Sequence, residues 1–346
     1  MCQRKYLQRM VKGNVSLKFE PIKQSFSRLL ENEEGLTLAV YHKDELVVDL
    51  WGGYADKSSY RLWKEDTMSC GYSSTKVFGS LVVASLVSQG RLAYTDLVIK
   101  HWPEFGKHGK DILTVEDLVN HKAGLIAFSA GKFTIEEAKD LDLVSKIIED
   151  SKPWESAIKK FVYHAATIGF VLDQLVRRVD MKKRTISQFY LEEVQPNIQY
   201  GEQFYIGLPK KSFIWLLILL FQLQWKRYSM LSEIQCRCSD LPFQNWDPKF
   251  KEIMNLYSNS VKFLAVTGIY NDPDVLSVQS CASTGVGTAR GIAQAAQYFF
   301  KSKLITEEVQ EVFKHPTEKI YLPNPLEKEE FSIMQMVMVD SSVALI

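Results

Sequence analysis

A mixed α/β fold of the α+β kind is predicted, in which an antiparallel sheet is flanked by helices and joined to a mainly helical subdomain. Three observations carry that expectation. A helical periodicity near the start is followed at once by two short apolar runs with polar turn residues between them. The segment after residue 76 is apolar nearly all round. A long stretch of helical periodicity then precedes an apolar, β-branched C-terminal run.

Ile22, Phe26, Leu29 and Leu30 recur at helical spacing behind Pro21, whose fixed φ and missing N–H suit a first turn, and the helix is expected to end near Glu34-Gly35. Residues 36–41 and 46–50 are apolar runs on either side of His42-Lys43-Asp44-Glu45, the pattern of a β-hairpin, with Trp51-Gly52-Gly53 closing the second strand. Val77, Phe78, Leu81, Val82, Val83, Ala84, Leu86 and Val87 make the next helix apolar on nearly every side, so it must be buried, and Gly90 supplies its stop. From 92 to about 208 the periodicity is mainly helical, with helices expected over 115–120, 135–148, 168–179 and 186–194. Residues 245–271 are irregular. Thr284-Gly285-Val286-Gly287 reads as a lead into a helix over 288–300, and residues 331–346 as a strand entering the sheet. The expected organisation is a single domain over 11–346, with 11–90 and about 285–346 in its sheet-containing part, about 91–284 in its helical part, and 1–10 as an N-terminal extension.

Composition is that of an ordinary globular chain: 346 residues, 46% apolar and 24% charged. Forty-two basic against 41 acidic residues leave a formal charge of +1, which gives no field for nucleic acid or an anionic surface. Cys2, Cys70, Cys236, Cys238 and Cys281 are few, odd in number and scattered, a usage that suits a reducing compartment. Cys236 and Cys238 form a lone C-x-C without a second pair or a nearby histidine, so no metal site is expected. No apolar signal region opens the chain, and a cytoplasmic location is expected. The acid-free, basic stretch up to Phe19 resembles a mitochondrial presequence and supplies the alternative. Residues 213–221 are nine apolar residues in a row, continuing less purely to Trp225, well short of the ~20 that a spanning helix needs. A buried helix is expected there, or a segment peripheral to a membrane.

Chemistry is carried by S-x-x-K, which occurs three times, beginning at Ser73, Ser129 and Ser156. On a helix, residues i and i+3 share a face, so a serine in the first turn has the lysine amine one turn above it. The helix N-terminus adds positive potential that favours a developing oxyanion. Ser129 lies in a loop with a glycine inside the spacing, Ser156 in a polar stretch, and only Ser73 opens a buried helix. On spacing alone the stronger reading of Ser73 is a simple N-cap, with Lys76 solvated beside it.

The flanking residues change that reading. The stretch over 36–125 contains Asp49-Leu50-Trp51-Gly52-Gly53-Tyr54-Ala55-Asp56, Ser73-Ser74-Thr75-Lys76, Gly90-Arg91-Leu92, Trp102-Pro103-Glu104-Phe105, and residues 113–125 with Asn120-His121-Lys122-Ala123-Gly124 inside them. In this order the elements resemble the β-lactamase-related serine hydrolases, the superfamily of class C β-lactamases, DD-peptidases and family VIII carboxylesterases. That resemblance implies a β-lactamase/transpeptidase-like fold, with Ser73 as nucleophile and Lys76 as its base. Tyr163-His164-Ala165 resembles the second family motif, which makes Tyr163 the third catalytic member. A phenol near an ammonium can relay a proton to a leaving group. Ala165 stands where true lactamases have asparagine, which points to an ester rather than an antibiotic substrate. His164 and His121 read as structural, since consecutive residues entering a helix diverge by ~100° and the Asn-His-Lys-Ala-Gly turn supports the fold in the family.

The family's third motif, Lys-Thr-Gly or His-x-Gly on a late strand, is not found: His315-Pro316-Thr317 lacks the glycine. That strand supplies the second oxyanion N–H, whose loss costs ~10² to 10³ in rate. Together with the apolar run at 213–225, this fits a C-terminally truncated or alternatively spliced product. Two functions follow as expectations: a serine hydrolase acting on a small-molecule ester or amide without cofactor or metal, and a catalytically silent relative acting as a scaffold or self-associating as a homo-oligomer. Nucleic acid is not an expected partner, and membrane association is expected only in the minor reading that anchors residues 213–225.

Overall fold

The structure is a computed structural model that describes residues 10–129, 133–209, 270, 272–314 and 343–345. The first strand, β1 (Val11–Val15), is followed by helix α1 (Pro21–Leu30), β2 (Gly35–His42) and β3 (Glu45–Asp56). Lys43 and Asp44 turn the hairpin, both with left-handed φ (50° and 69°), the backbone that a two-residue hairpin loop requires. Strand β3 does not close at Trp51-Gly52-Gly53 as the sequence predicts but continues to Asp56. Gly53 carries a φ of 77° inside the strand, so it is a bend that only glycine makes without strain, not a terminus.

Strand β4 (Arg61–Leu62) pairs with β3, and β5 (Ser69–Cys70) leads through a short 3₁₀ turn over Tyr72–Thr75 into helix α2 (Lys76–Ser88). Helices α3 (Val115–Val119), α4 (Ile135–Lys139), α5 (Leu141–Asp150), α6 (Thr167–Val179) and α7 (Ile186–Phe189) follow. The helix expected over 135–148 is two. Thr134 caps α4 through a capping box, and Asp140 ends α4 and caps α5, accepting from the N–H groups of Asp142 and Leu143. Beyond α7 come β6 (Phe204–Ile206), the short helix α8 (Pro273–Leu276), β7 (Gly285–Gly287), α9 (Ala289–Lys301), α10 (Glu307–Lys314) and β8 (Val343–Leu345).

Among the described residues the larger sheet has the order β1-β3-β2-β8 with β4 beside β3, and the smaller has the order β5-β7-β6. Every pairing is antiparallel. Alternation along β2 sends its side chains to two layers. Val40, with Val48 and Leu50 of β3, packs on Phe26 and Leu30 of α1, whereas Ala39 and Tyr41 pack on Ala289 and Ala293 of α9. Arg290 of α9 reinforces that second layer by donating to Asp49 of β3 at 3.0 Å and to Gln203 at 2.9 Å. The largest core cluster is centred on α2: Val82, Val83, Ala84 and Leu86 are all fully buried, which accounts for a helix apolar on every side.

No helix among the described residues is long and apolar enough to cross a membrane. The run at 213–225, the Cys236 and Cys238 pair and His315-Pro316-Thr317 lie outside the described residues.

Candidate active site

Residues 71–76 take their shape from a strand behind them. The Gly71 N–H donates to the Gly285 carbonyl at 2.8 Å. The Gly285 N–H in turn donates to Thr75 Oγ1 at 3.1 Å, and that hydroxyl donates to the Tyr72 carbonyl at 2.6 Å. Strand β7 can come this close because Gly285 has no side chain: a Cβ there would lie 2.3 Å from Thr75 Oγ1. Tyr72, immediately before Ser73, is held with φ at 43°, in the left-handed region that bulky residues avoid. Ser73 therefore lies in the opening turn of the α2 helical segment, where helical geometry leaves N–H groups without intrahelical acceptors.

The structure brings Ser73, Lys76 and Tyr163 together. Lys76 Nζ lies 3.2 Å from Ser73 Oγ, and Tyr163 OH donates to the same oxygen at 2.9 Å. Lys76 Nζ also donates to the carbonyls of Ala165 and Ala282, each at 2.8 Å. A carbonyl only accepts, so two of the amine's positions must be N–H bonds directed at these two oxygens. The remaining position faces Ser73. In the ammonium it is a third N–H; in the neutral amine it is the lone pair, aimed at the hydroxyl proton. Burial of the amine pushes the Lys76 pKa below the ordinary lysine value, while neighbouring Tyr163 acts weakly in the opposite sense.

Tyr163 is 43% exposed and Ser73 is exposed, so the pair opens to solvent. Its neighbours are two histidines. His164 is fully buried: the Leu125 N–H donates to its Nε2 at 2.9 Å, so Nδ1 carries the proton and donates to the Val162 carbonyl at 2.5 Å. His121 Nδ1 accepts from the His164 N–H at 3.0 Å, which places the His121 proton on Nε2. Burial pushes His121 down to about 3, helped by His164 and Lys76, and burial likewise pushes His164 down to about 4. Both are neutral near pH 7.

Of the other S-x-x-K serines, Ser129 Oγ accepts from the Lys152 N–H at 3.0 Å and Ser156 lies in a 3₁₀ turn over Glu155–Ala157; neither meets the cluster. The sequence does not single out Thr75, Ala165 or Ala282 as site groups. Thr75 stands inside the Ser73-Lys76 spacing and could have been noticed there. The two carbonyls leave no mark in the side-chain pattern. Thr284-Gly285-Val286-Gly287, read as a lead into a helix, forms β7, because Gly-Val-Gly resembles a turn more than a strand.

The family described as Beta-lactamase matches residues 22–209, more than half of the 346-residue chain. A curated relative, "Esterase/beta-lactamase LipL" of Mycobacterium tuberculosis, is 30% identical over 180 residues, which are 50% of this chain and 40% of that protein. The chain thus spans about two fifths of that relative's length. Solved structures share the fold. A family VIII carboxylesterase aligns with TM-score 0.68 at 23% identity, covering 86% of this chain and 73% of that one. A penicillin-binding protein homolog from Caulobacter crescentus aligns with TM-score 0.67 at 22% identity, covering 93% and 81%. EstA from Arthrobacter nitroguajacolicus Rue61a aligns with TM-score 0.67 at 24% identity, covering 91% and 79%.

Proposed function

The chain belongs to the beta-lactamase family, and from that membership we propose that it is a serine hydrolase cleaving a small-molecule ester or amide through an acyl-enzyme on Ser73. The observation that carries the reading is the double hydrogen bond to one oxygen, with Lys76 Nζ at 3.2 Å and Tyr163 OH at 2.9 Å from Ser73 Oγ. In its neutral form Lys76 takes the hydroxyl proton as Oγ attacks the carbonyl carbon. The tetrahedral intermediate collapses, the bond to the leaving alcohol or amine breaks, and the Lys76 proton reaches that group through Tyr163. Water then attacks the acyl-enzyme with the same base, releasing the acid and restoring Ser73. The Ser73 N–H supplies one oxyanion donor.

An ester is the favoured substrate. Ala165 contributes only its carbonyl to the cluster, leaving no side-chain amide beside Ser73, and esterase is one of the two activities in the name of the curated relative. A fluorophosphonate probe should label the protein at Ser73, and Ser73→Ala should abolish the label. Labelling that persists in Ser73→Ala would sink the reading. Folded protein that resists every acylating probe would favour the alternative, a catalytically silent scaffold.

A further inference from the structure

We propose that His121 is a positioning residue for Tyr163, holding its phenol against Ser73 by bonding the N–H groups of the residues before and after it and walling its ring. The inference rests on the role given to Tyr163 above. Tyr163 has a difficult placement: it is 43% exposed, so the protein covers only part of it, yet its hydroxyl must stay within 2.9 Å of Ser73 Oγ. A half-exposed side chain ordinarily keeps rotamer freedom, and fixing it requires contacts that act on the backbone as well as the ring.

His121 provides both. The Val162 N–H donates to the His121 carbonyl at 3.0 Å, and the His164 N–H donates to His121 Nδ1 at 3.0 Å. The two peptide N–H groups that flank Tyr163 therefore end on one residue. Its imidazole also lies beside the Tyr163 ring, with centroids 4.9 Å apart and planes at 42°. His164 closes the arrangement by returning its own Nδ1 proton to the Val162 carbonyl, while its Nε2 accepts from the N–H of Leu125, two residues past the His121-Lys122-Ala123 turn.

His121 is itself fixed from below. It takes φ at 58° at the end of α3, and its N–H donates to the Leu118 carbonyl at 3.1 Å. The Lys122 N–H donates to Asp117 O at 2.7 Å, and the Lys159 N–H to Lys122 O at 2.9 Å, so the segment leading to Tyr163 is already tied to this turn at residue 159. The imidazole must be neutral to accept at Nδ1, and protonating it would put a second cation near Lys76. A turn that served only the fold would need the backbone bonds. The ring lies closest to Tyr163 among its aromatic neighbours, and its acceptor nitrogen takes the N–H of the next residue, His164.

The test is a double-mutant cycle on full-length protein with p-nitrophenyl acetate as the probe. His121→Asn retains an acceptor oxygen and a residue type that tolerates left-handed φ, and removes the ring wall. The expected result is a fall in kcat of about ten- to hundredfold with KM changed less than about twofold, the signature of a misplaced group. In a Tyr163→Phe background the same substitution should lower kcat less than about twofold, because there is no hydroxyl left to misplace. If His121→Asn melts early, the cycle is read at a temperature where all four proteins are folded. Equal losses in both backgrounds, or no loss in either, overturn the proposal and leave the hydrolase reading standing. Full activity in Ser73→Ala or Tyr163→Phe overturns both.

Discussion

In the proposed reaction Lys76 serves as the base by virtue of where its two N–H bonds go. The Ala165 and Ala282 carbonyls, each 2.8 Å from Nζ, orient the amine whatever its charge, and burial lowers the proton affinity that an exposed lysine would have. Those two effects do separate work: the carbonyls set direction and burial sets the fraction of neutral amine. The proposed reaction requires the neutral form, so hydrolysis of p-nitrophenyl acetate should rise with pH along a limb whose midpoint lies below the ordinary lysine value of 10.5. A midpoint at or above that value in a kcat/KM profile would contradict the assignment. Lys76→Arg should lower kcat by about 10² to 10⁴, because a guanidinium stays protonated at every accessible pH and cannot take the Ser73 proton. The variant keeps the positive charge, so a small effect would mean that charge alone is what position 76 supplies.

At the scale of elements, the site depends on how closely β7 approaches the turn before α2. Gly285→Ala places a Cβ 2.3 Å from Thr75 Oγ1, where only a shift of the turn or of the strand can relieve the overlap. About 1–3 kcal/mol of stability should be lost, and kcat should fall beyond what the folded fraction explains, since the displaced turn carries Ser73. Thermal unfolding measured beside kcat separates the two losses, and a variant that is less stable but fully active per folded molecule would show that β7 does not position the turn. This strand also marks the limit of what the sequence discloses. Ser73 and Lys76 are legible because a buried helix must show apolar residues on every face, and Tyr163 because its motif resembles the family's. β7 is hidden because glycines chosen for close approach look like turn residues. β1 escapes notice because its five residues, Val11–Val15, show only two apolar positions in alternation. The helix expected over 135–148 divides at Asp140, whose cap competes with a continuing apolar period on either side. Backbone carbonyls such as Ala165 and Ala282 have no sequence signature, because every residue carries one.

Across the whole molecule, His121, His164 and Asp173 give folding stability a characteristic pH dependence. His121 and His164 are lowered from 6.5 to about 3 and about 4, so their contribution is present above pH 6.5 and is lost as pH falls, when the unfolded chain takes up protons that the native state refuses. Asp173, buried in α6 with Oδ1 accepting from the Ile186 N–H at 2.7 Å, is raised by burial from 3.8 to about 7. Its contribution runs the other way, present below 3.8 and lost as pH rises through about 7. Within about pH 5 to 6.5 the unfolded chain gains up to two protons on the imidazoles while the native state retains one on Asp173, a net difference approaching one. Stability should therefore fall by up to about 1.4 kcal/mol for each unit of pH lowered through that window. Asp173→Asn preserves an acceptor for the Ile186 N–H and removes the opposing proton, so the slope should approach twice that value. The same variant should be more stable than the parent above pH 7, where the parent must bury an ionised carboxylate. Urea unfolding of both proteins at half-unit steps from pH 5 to 8 reads slope and crossing together. Parallel curves would mean that Asp173 does not titrate against the histidines.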